Sequence, residues 1–270
     1  MLILAAATAA RAADDNPLSF AFASQAGSGI YSIEGRVVQI YRIPVSFTVR
    51  PLQDERVWGA KVRLPLTLGF YDYDTQDLIQ GDFPSHVGTA SLLPGVEFQV
   101  RAKDNWTLYP HVDAGAAKDF DGNSLVWVYD AGVKSVVGFP MGNWTARAGQ
   151  ELLWAGAAQT GNALTDWYAE AQVGFEFRHD LPWSSGRSVW DIGAFVTYSH
   201  YIQDESPAVA VTYASPATAG TGVDEQTEIG FSFGTRPKLA WKFVSTPKLG
   251  FSYRFGDGVH GVRFVIGEIF

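Results

Sequence analysis

From Trp58 to Phe70 every second residue is apolar: Trp58, Ala60, Val62, Leu64, Leu66, Leu68 and Phe70. Between them stand Gly59, Lys61, Arg63, Pro65, Thr67 and Gly69. A period of two puts alternate side chains on opposite faces of an extended strand, so this segment has one greasy face and one that carries cations. The pattern is repeated along the chain. Val96, Phe98 and Val100 interleave with Glu97, Gln99 and Arg101. Trp167, Ala169, Ala171, Val173, Phe175 and Phe177 interleave with Tyr168, Glu170, Gln172, Gly174, Glu176 and Arg178. Trp190, Ile192, Ala194, Val196 and Tyr198 oppose Asp191, Gly193, Thr197 and Ser199.

A soluble β-sandwich also alternates, so length has to decide. Sandwich strands run to about 5–6 residues, whereas a strand that crosses a bilayer at a tilt needs about 9–11. The runs here reach 10 to 14 residues. Aromatics also mark their ends: Trp58, Trp106, Trp144 and Trp167 at starts, Phe70, Trp154 and Phe177 at finishes. Those are the heights at which aromatic girdles meet the two membrane interfaces.

The pattern predicts twelve strands, near 17–27, 36–50, 56–71, 85–101, 105–117, 124–138, 143–155, 164–180, 187–203, 225–243, 246–256 and 258–270. Short turns such as "PLQDE", "AKDN" and "FPMGN" alternate with longer connections at 72–84 and 203–224. An even strand count with both ends on the short-turn side is the arrangement of bacterial outer-membrane barrels. Hydrocarbon cannot hydrogen-bond to a strand edge, so the sheet must close on itself. The expected fold is all-β: a single closed antiparallel transmembrane barrel of up-and-down topology. Pro44, Pro65, Pro94 and Pro110 fall inside these strands, and a closed sheet has no free edge for them. They predict bulges or a broken strand.

Composition adjusts this picture in three ways. Aromatic residues are 14% of the 270-residue chain and Gly numbers 28, a pairing suited to strands and tight turns. The net charge of −8, with no basic run, argues against a nucleic-acid partner. With no cysteine, disulfide scaffolds, thiolate metal sites and cysteine nucleophiles are excluded. The opening "MLILAAATAARAADDN" reads as a signal-peptide remnant over residues 1–12, cut after Ala10-Arg11-Ala12, which leaves 13–270 as the barrel domain. It lacks a positively charged n-region.

The inward faces collect the charge. Arg42, Arg50, Lys61, Arg63, Arg101, Lys134, Arg147, Arg178, Arg254 and Arg263 share them with Glu97, Asp113, Asp130, Glu151, Glu170, Glu176, Asp191 and Glu228. A sign-selective pore needs a ring of one charge, whereas a near-balanced set reads as a paired network that braces the lumen. His111 lies on the same face near Asp113 and Tyr109, as a network member or an acid–base group. Ser199 and His200 are neighbours in sequence, and adjacent strand residues point apart, so they cannot act as a nucleophile–base pair. The loop "YDYDTQDLIQGD" carries Asp72, Asp74, Asp77 and Asp82 without the spacing of a calcium loop. No phosphate loop, dinucleotide fingerprint or zinc motif is present, so no cofactor is expected, and no enzymatic activity.

The chain ends "GVRFVIGEIF", with Val262, Phe264 and Ile266 on one face and Phe270 last. This resembles the C-terminal strand of Gram-negative outer-membrane proteins, whose terminal aromatic is an assembly signal read by the barrel-assembly machinery. Glu268 departs from that pattern, at a position that is usually apolar. Together with the twelve-strand count, the chain is most similar to solitary autotransporter-like barrels, which are translocator barrels without a passenger. The resemblance implies the outer membrane as location and its lipid and lipopolysaccharide as contacts. It implies a passive, porin-like or transport-like barrel for small solutes, with a structural or adhesive surface barrel as alternative and an outer-membrane hydrolase third.

Overall fold

The computed structural model describes residues 24–33, 36–53, 56–73, 88–120, 125–159, 165–202, 224–236, 240–241, 244–245, 248–257 and 259–270. Its strands are β1 Ser28–Ile33, β2 Arg36–Arg50, β3 Trp58–Tyr73, β4 Thr89–Leu92, β5 Gly95–Lys103, β6 Trp106–Asp119 and β7 Leu125–Met141. They continue with β8 Trp144–Gln159, β9 Thr165–Ser185, β10 Ser188–Ile202, β11 Glu225–Arg236, β12 Ala240–Trp241, β13 Val244–Ser245, β14 Leu249–Gly256 and β15 Val259–Ile266. Thirteen of them form one sheet, and β12 with β13 forms a separate hairpin. β4 and β5 are two halves of one wall strand, both lying between β3 and β6, so the wall has twelve positions. β1 pairs with β15 on one side and β2 on the other, which closes the barrel. All pairings are antiparallel.

Eleven of the twelve expected strands lie where the alternation put them, with shifted ends. The first does not. The expected strand 17–27 falls partly outside the described residues, and its described end, residues 24–26, is helical. The wall strand is Ser28–Ile33 instead, in a segment expected to be loop. Two further boundaries are corrected. The strand expected over 225–243 ends at Arg236, and the last one ends at Ile266, not at Phe270. The signal segment 1–12 and most of the two long connections lie outside the described residues. Tight turns at Gly142 and Gly186, both at φ 64°, supply the positive backbone angle that a two-residue hairpin requires. They mark the turn end of the barrel, where β1 also begins and β15 finishes; the other is the loop end.

Each of the four prolines turns its missing N–H to a side where the ladder is interrupted or absent. Pro44 faces Pro65 across the β2–β3 ladder. Two residues earlier, Arg42 gives its N–H to Ser28 Oγ, whose hydroxyl donates to the Arg42 carbonyl, both at 2.8 Å. Strand periodicity therefore turns the Pro44 backbone to the same side, away from β3, where no described strand pairs with Ile43–Arg50. Pro65 turns its backbone toward the fourth wall strand, and its carbonyl accepts from Leu93 N at 3.2 Å. Pro94 sits in the break between β4 and β5, with its carbonyl bonded to Ala114 N at 3.0 Å. Opposite Pro110 the β5–β6 ladder skips from Glu97 to Val100.

The outward face is apolar, with Trp127 56% and Phe231 54% exposed. The inward face divides along the axis. Toward the loop end, Tyr31, Val38, Ile40, Val126, Val128, Ala155, Ala157, Tyr168, Tyr201 and Val259 pack as a buried apolar cluster. Toward the turn end the inward positions are charged and surround a cavity of about 850 Å³. One half of the lumen is a dry core and the other is a polar chamber.

Candidate functional site

The polar chamber is built from three charge clusters, each drawn from neighbouring strands whose inward positions come into register. In the first, Asp113 of β6 stands directly opposite Asp130 of β7. Arg63 of β3 reaches Asp113 Oδ2 at 2.9 Å. Asp130 Oδ2 accepts from Gln25 Nε2 at 2.7 Å, and Asp130 Oδ1 lies 3.6 Å from His111 Nε2. Gln25 also accepts from Arg42 Nη1 at 3.2 Å. The helical residues 24–26 thus lie inside the barrel, with Ala26 part of the apolar cluster. Gly95 lies opposite Asp113 in the β5–β6 ladder, and a Cβ there would overlap the carboxylate.

The second cluster centres on Glu228 of β11. Arg254 of β14 donates to it at 3.0 and 3.3 Å, Ser252 Oγ at 2.6 Å, and Arg263 of β15 makes a further ion pair. Arg254 and Tyr201 both donate to Gln226 Oε1, at 3.2 and 3.1 Å. Tyr31 Oη donates to the Ala26 carbonyl at 2.6 Å, which ties β1 to the chain inside the lumen.

The third joins β8, β9 and the C-terminal tail. Glu176 accepts from Arg147 at 3.0 Å and pairs with Arg178 at 2.8 Å. Both arginines also converge on Glu268 Oε2, Arg147 at 2.9 Å. Gly267, at φ 116°, turns the tail out of the wall, and Phe270 is 6% exposed inside the lumen. Its ring lies over Gly149 and Gly174, which oppose each other across the β8–β9 ladder.

Of the other residues singled out from the sequence, Lys61 pairs with Glu97 at 3.4 Å and Lys134 with Glu151 at 3.5 Å. Asp191 binds Lys248 at 2.5 Å. Glu170 lines the cavity and accepts from Gln172 at 3.5 Å. Arg101 is inward but lies near the turn end, in register with Thr107 and outside the cavity lining. Arg50, expected inward, instead shares the outward face with Trp58, over which it stacks at 3.7 Å, because the β2–β3 register shifts between Thr48 and Arg50. Ser199 is buried in the lumen and accepts from Gln172 at 3.1 Å, while exposed His200 on the outward face lies 3.9 Å from Glu225. The two do point apart. Phe270, expected at the foot of the last strand, is inside the barrel instead, because Gly267 breaks the period. Among the described residues no group of three His, Cys, Asp or Glu could hold a metal ion.

Sequence reasoning missed Gln25, Lys248, Glu268 and the glycine slot. One trace was legible. By period, Glu268 belongs on the lipid face, where a charge is out of place, and the structure resolves this by folding it inward onto two arginines.

No family model matches the chain, and no curated protein matches it. Among solved structures, the β-domain of the Bordetella autotransporter BrkA aligns with a TM-score of 0.55, at 12% identity, over 88% of this chain and 92% of that one. Its fold is that of an autotransporter β-domain. LpxR from Salmonella typhimurium covers 88% of this chain and 90% of its own at 9% identity, with a TM-score of 0.45. The siderophore receptor PirA from Pseudomonas aeruginosa aligns with a TM-score of 0.32 and 10% identity, over 88% of this chain and 40% of its own length.

Proposed function

We propose that this protein resides in the bacterial outer membrane and gives small polar solutes a gated route through its lumen. The observation that supports this is the division of that lumen into a mixed-charge chamber of about 850 Å³ and an apolar cluster beyond it. The chamber has no ring of one charge, and most of its cations are paired with carboxylates, so it would discriminate little between ion signs. The apolar cluster, in which Tyr168 and Tyr201 rings lie 5.8 Å apart, is the closed gate. Lipid and lipopolysaccharide are then the contacts of the outer face. Phe270 is available to the assembly machinery only on the unfolded chain. No catalytic reaction is assigned.

The test is conductance in planar bilayers. The refolded wild-type barrel should be closed most of the time, and Tyr168→Ala with Tyr201→Ala should raise the open fraction at least tenfold. A double variant that still migrates as a heat-modifiable barrel, yet neither conducts nor passes solutes into vesicles, would sink the route. The dry cluster would then favour the second reading, a structural or adhesive surface barrel.

A further inference from the structure

We propose that the polar chamber holds a binding site for small aromatic carboxylates, which the C-terminal tail Gly267–Phe270 fills in their place. The inference rests on the solute route above and names the class of solute that the route would take.

Charge balance comes first. Arg147 and Arg178 share Glu176, so two cations face one anion until Glu268 arrives as the second. Without the tail, the pair of guanidinium groups keeps one uncompensated positive charge in a largely buried setting. Paired guanidinium groups are a strong carboxylate receptor, because they offer several charge-assisted donors with fixed direction. Glu268 is also the most accessible member of the cluster, its side chain 27% exposed, so its carboxylate can exchange with one from solution.

Shape comes second. Gly149 and Gly174 leave a flat slot in the lumen wall, and the Phe270 ring spans it. A Cβ at Gly149 would overlap the ring, and one at Gly174 would stand 2.7 Å from it, closer than atoms pack. The slot is therefore cut for a planar ring and sits beside the guanidinium pair.

The tail is held by the Glu268 and Phe270 side chains and not by the sheet. The β14–β15 ladder ends at Ile266, and past it the backbone adds the Gly267 N–H bond to the Lys248 carbonyl at 2.8 Å. Removing the three residues after Gly267 takes no ladder bond from the wall.

A chain that stops at Gly267 should refold in detergent to a heat-modifiable barrel and bind 3-phenylpropionate saturably by calorimetry. The full chain, whose own tail fills the site, should bind it at least tenfold more weakly. Butyrate should bind the shortened barrel at least tenfold more weakly than the aromatic acid, and Gly149→Ala in that background should abolish the difference. A shortened barrel that is folded but fails to bind 3-phenylpropionate, or that binds butyrate equally well, overturns the site. Binding by a barrel that never conducts would leave the site standing and remove the route; conduction without binding would do the reverse.

Discussion

Asp113 and Asp130 oppose each other directly across the β6–β7 ladder, both buried. Like charges at facing positions of a sheet repel, and what offsets this is the Arg63 guanidinium on the first and the Gln25 amide on the second. Asp130→Asn removes the repulsion and retains an oxygen that can accept from Gln25. Its unfolding midpoint in urea should stay the same or rise, by up to about 1 kcal/mol. Arg63→Met leaves a buried carboxylate without its cation and should cost about 3–5 kcal/mol. Tryptophan fluorescence in detergent reads both.

If the barrel resides in the outer membrane as proposed, its outer face meets hydrocarbon at Val62, next to inward Lys61 and Arg63. Val62→Lys should cost about 2–4 kcal/mol of folding free energy in lipid vesicles if it lies near the bilayer midplane. The same lysine placed at Ser46, which lines the chamber, should change little. Equal folded fractions for the two variants would show that the face is not in lipid.

Pro44 points its backbone to the side of β2 that has no described strand partner, so Pro44→Ala should move stability by less than about 0.5 kcal/mol. Ile43→Pro, one residue away, turns its missing N–H toward Leu66 in β3 and should cost at least about 1–3 kcal/mol for the lost bond and the orphaned carbonyl. The ordering of the two, from urea midpoints, checks the backbone direction.

Glu228 holds Arg254 and Arg263 together. Glu228→Gln leaves two guanidinium groups facing each other in a buried site and should cost about 3–5 kcal/mol. Adding Arg263→Met should recover part of that loss. A double-mutant cycle measures the coupling, and simple additivity would contradict the shared ion pair.

How far the sequence could be read depended on what each inward position faces. For β3, outward leucines against inward Lys61 and Arg63 gave a clean period, because one side is the apolar exterior and the other lines the polar chamber. For β1 the period was blurred. Ile30 points outward, but Tyr31 points inward and is also apolar, because the loop half of the lumen is itself a packed core. Val126 and Val128 sit inward for the same reason, although stronger neighbours kept β7 readable. At the far end the period of Phe264 and Ile266 ran on to Phe270, and a single left-handed glycine, Gly267, ended it. Most of the inward charges could be placed by period, Arg50 excepted, but not their pairings. Those depend on register between strands far apart in the chain, as with Arg147 and Glu268.

The apolar cluster behind Tyr31 and Tyr168 has a bearing on how the molecule comes together. A hollow cylinder gains cohesion from its surroundings alone, but this one also expels water from its own interior at the loop end. That inner collapse acts whether or not a bilayer is present. The twelve staves can therefore be drawn into a ring before hydrocarbon takes over the outside.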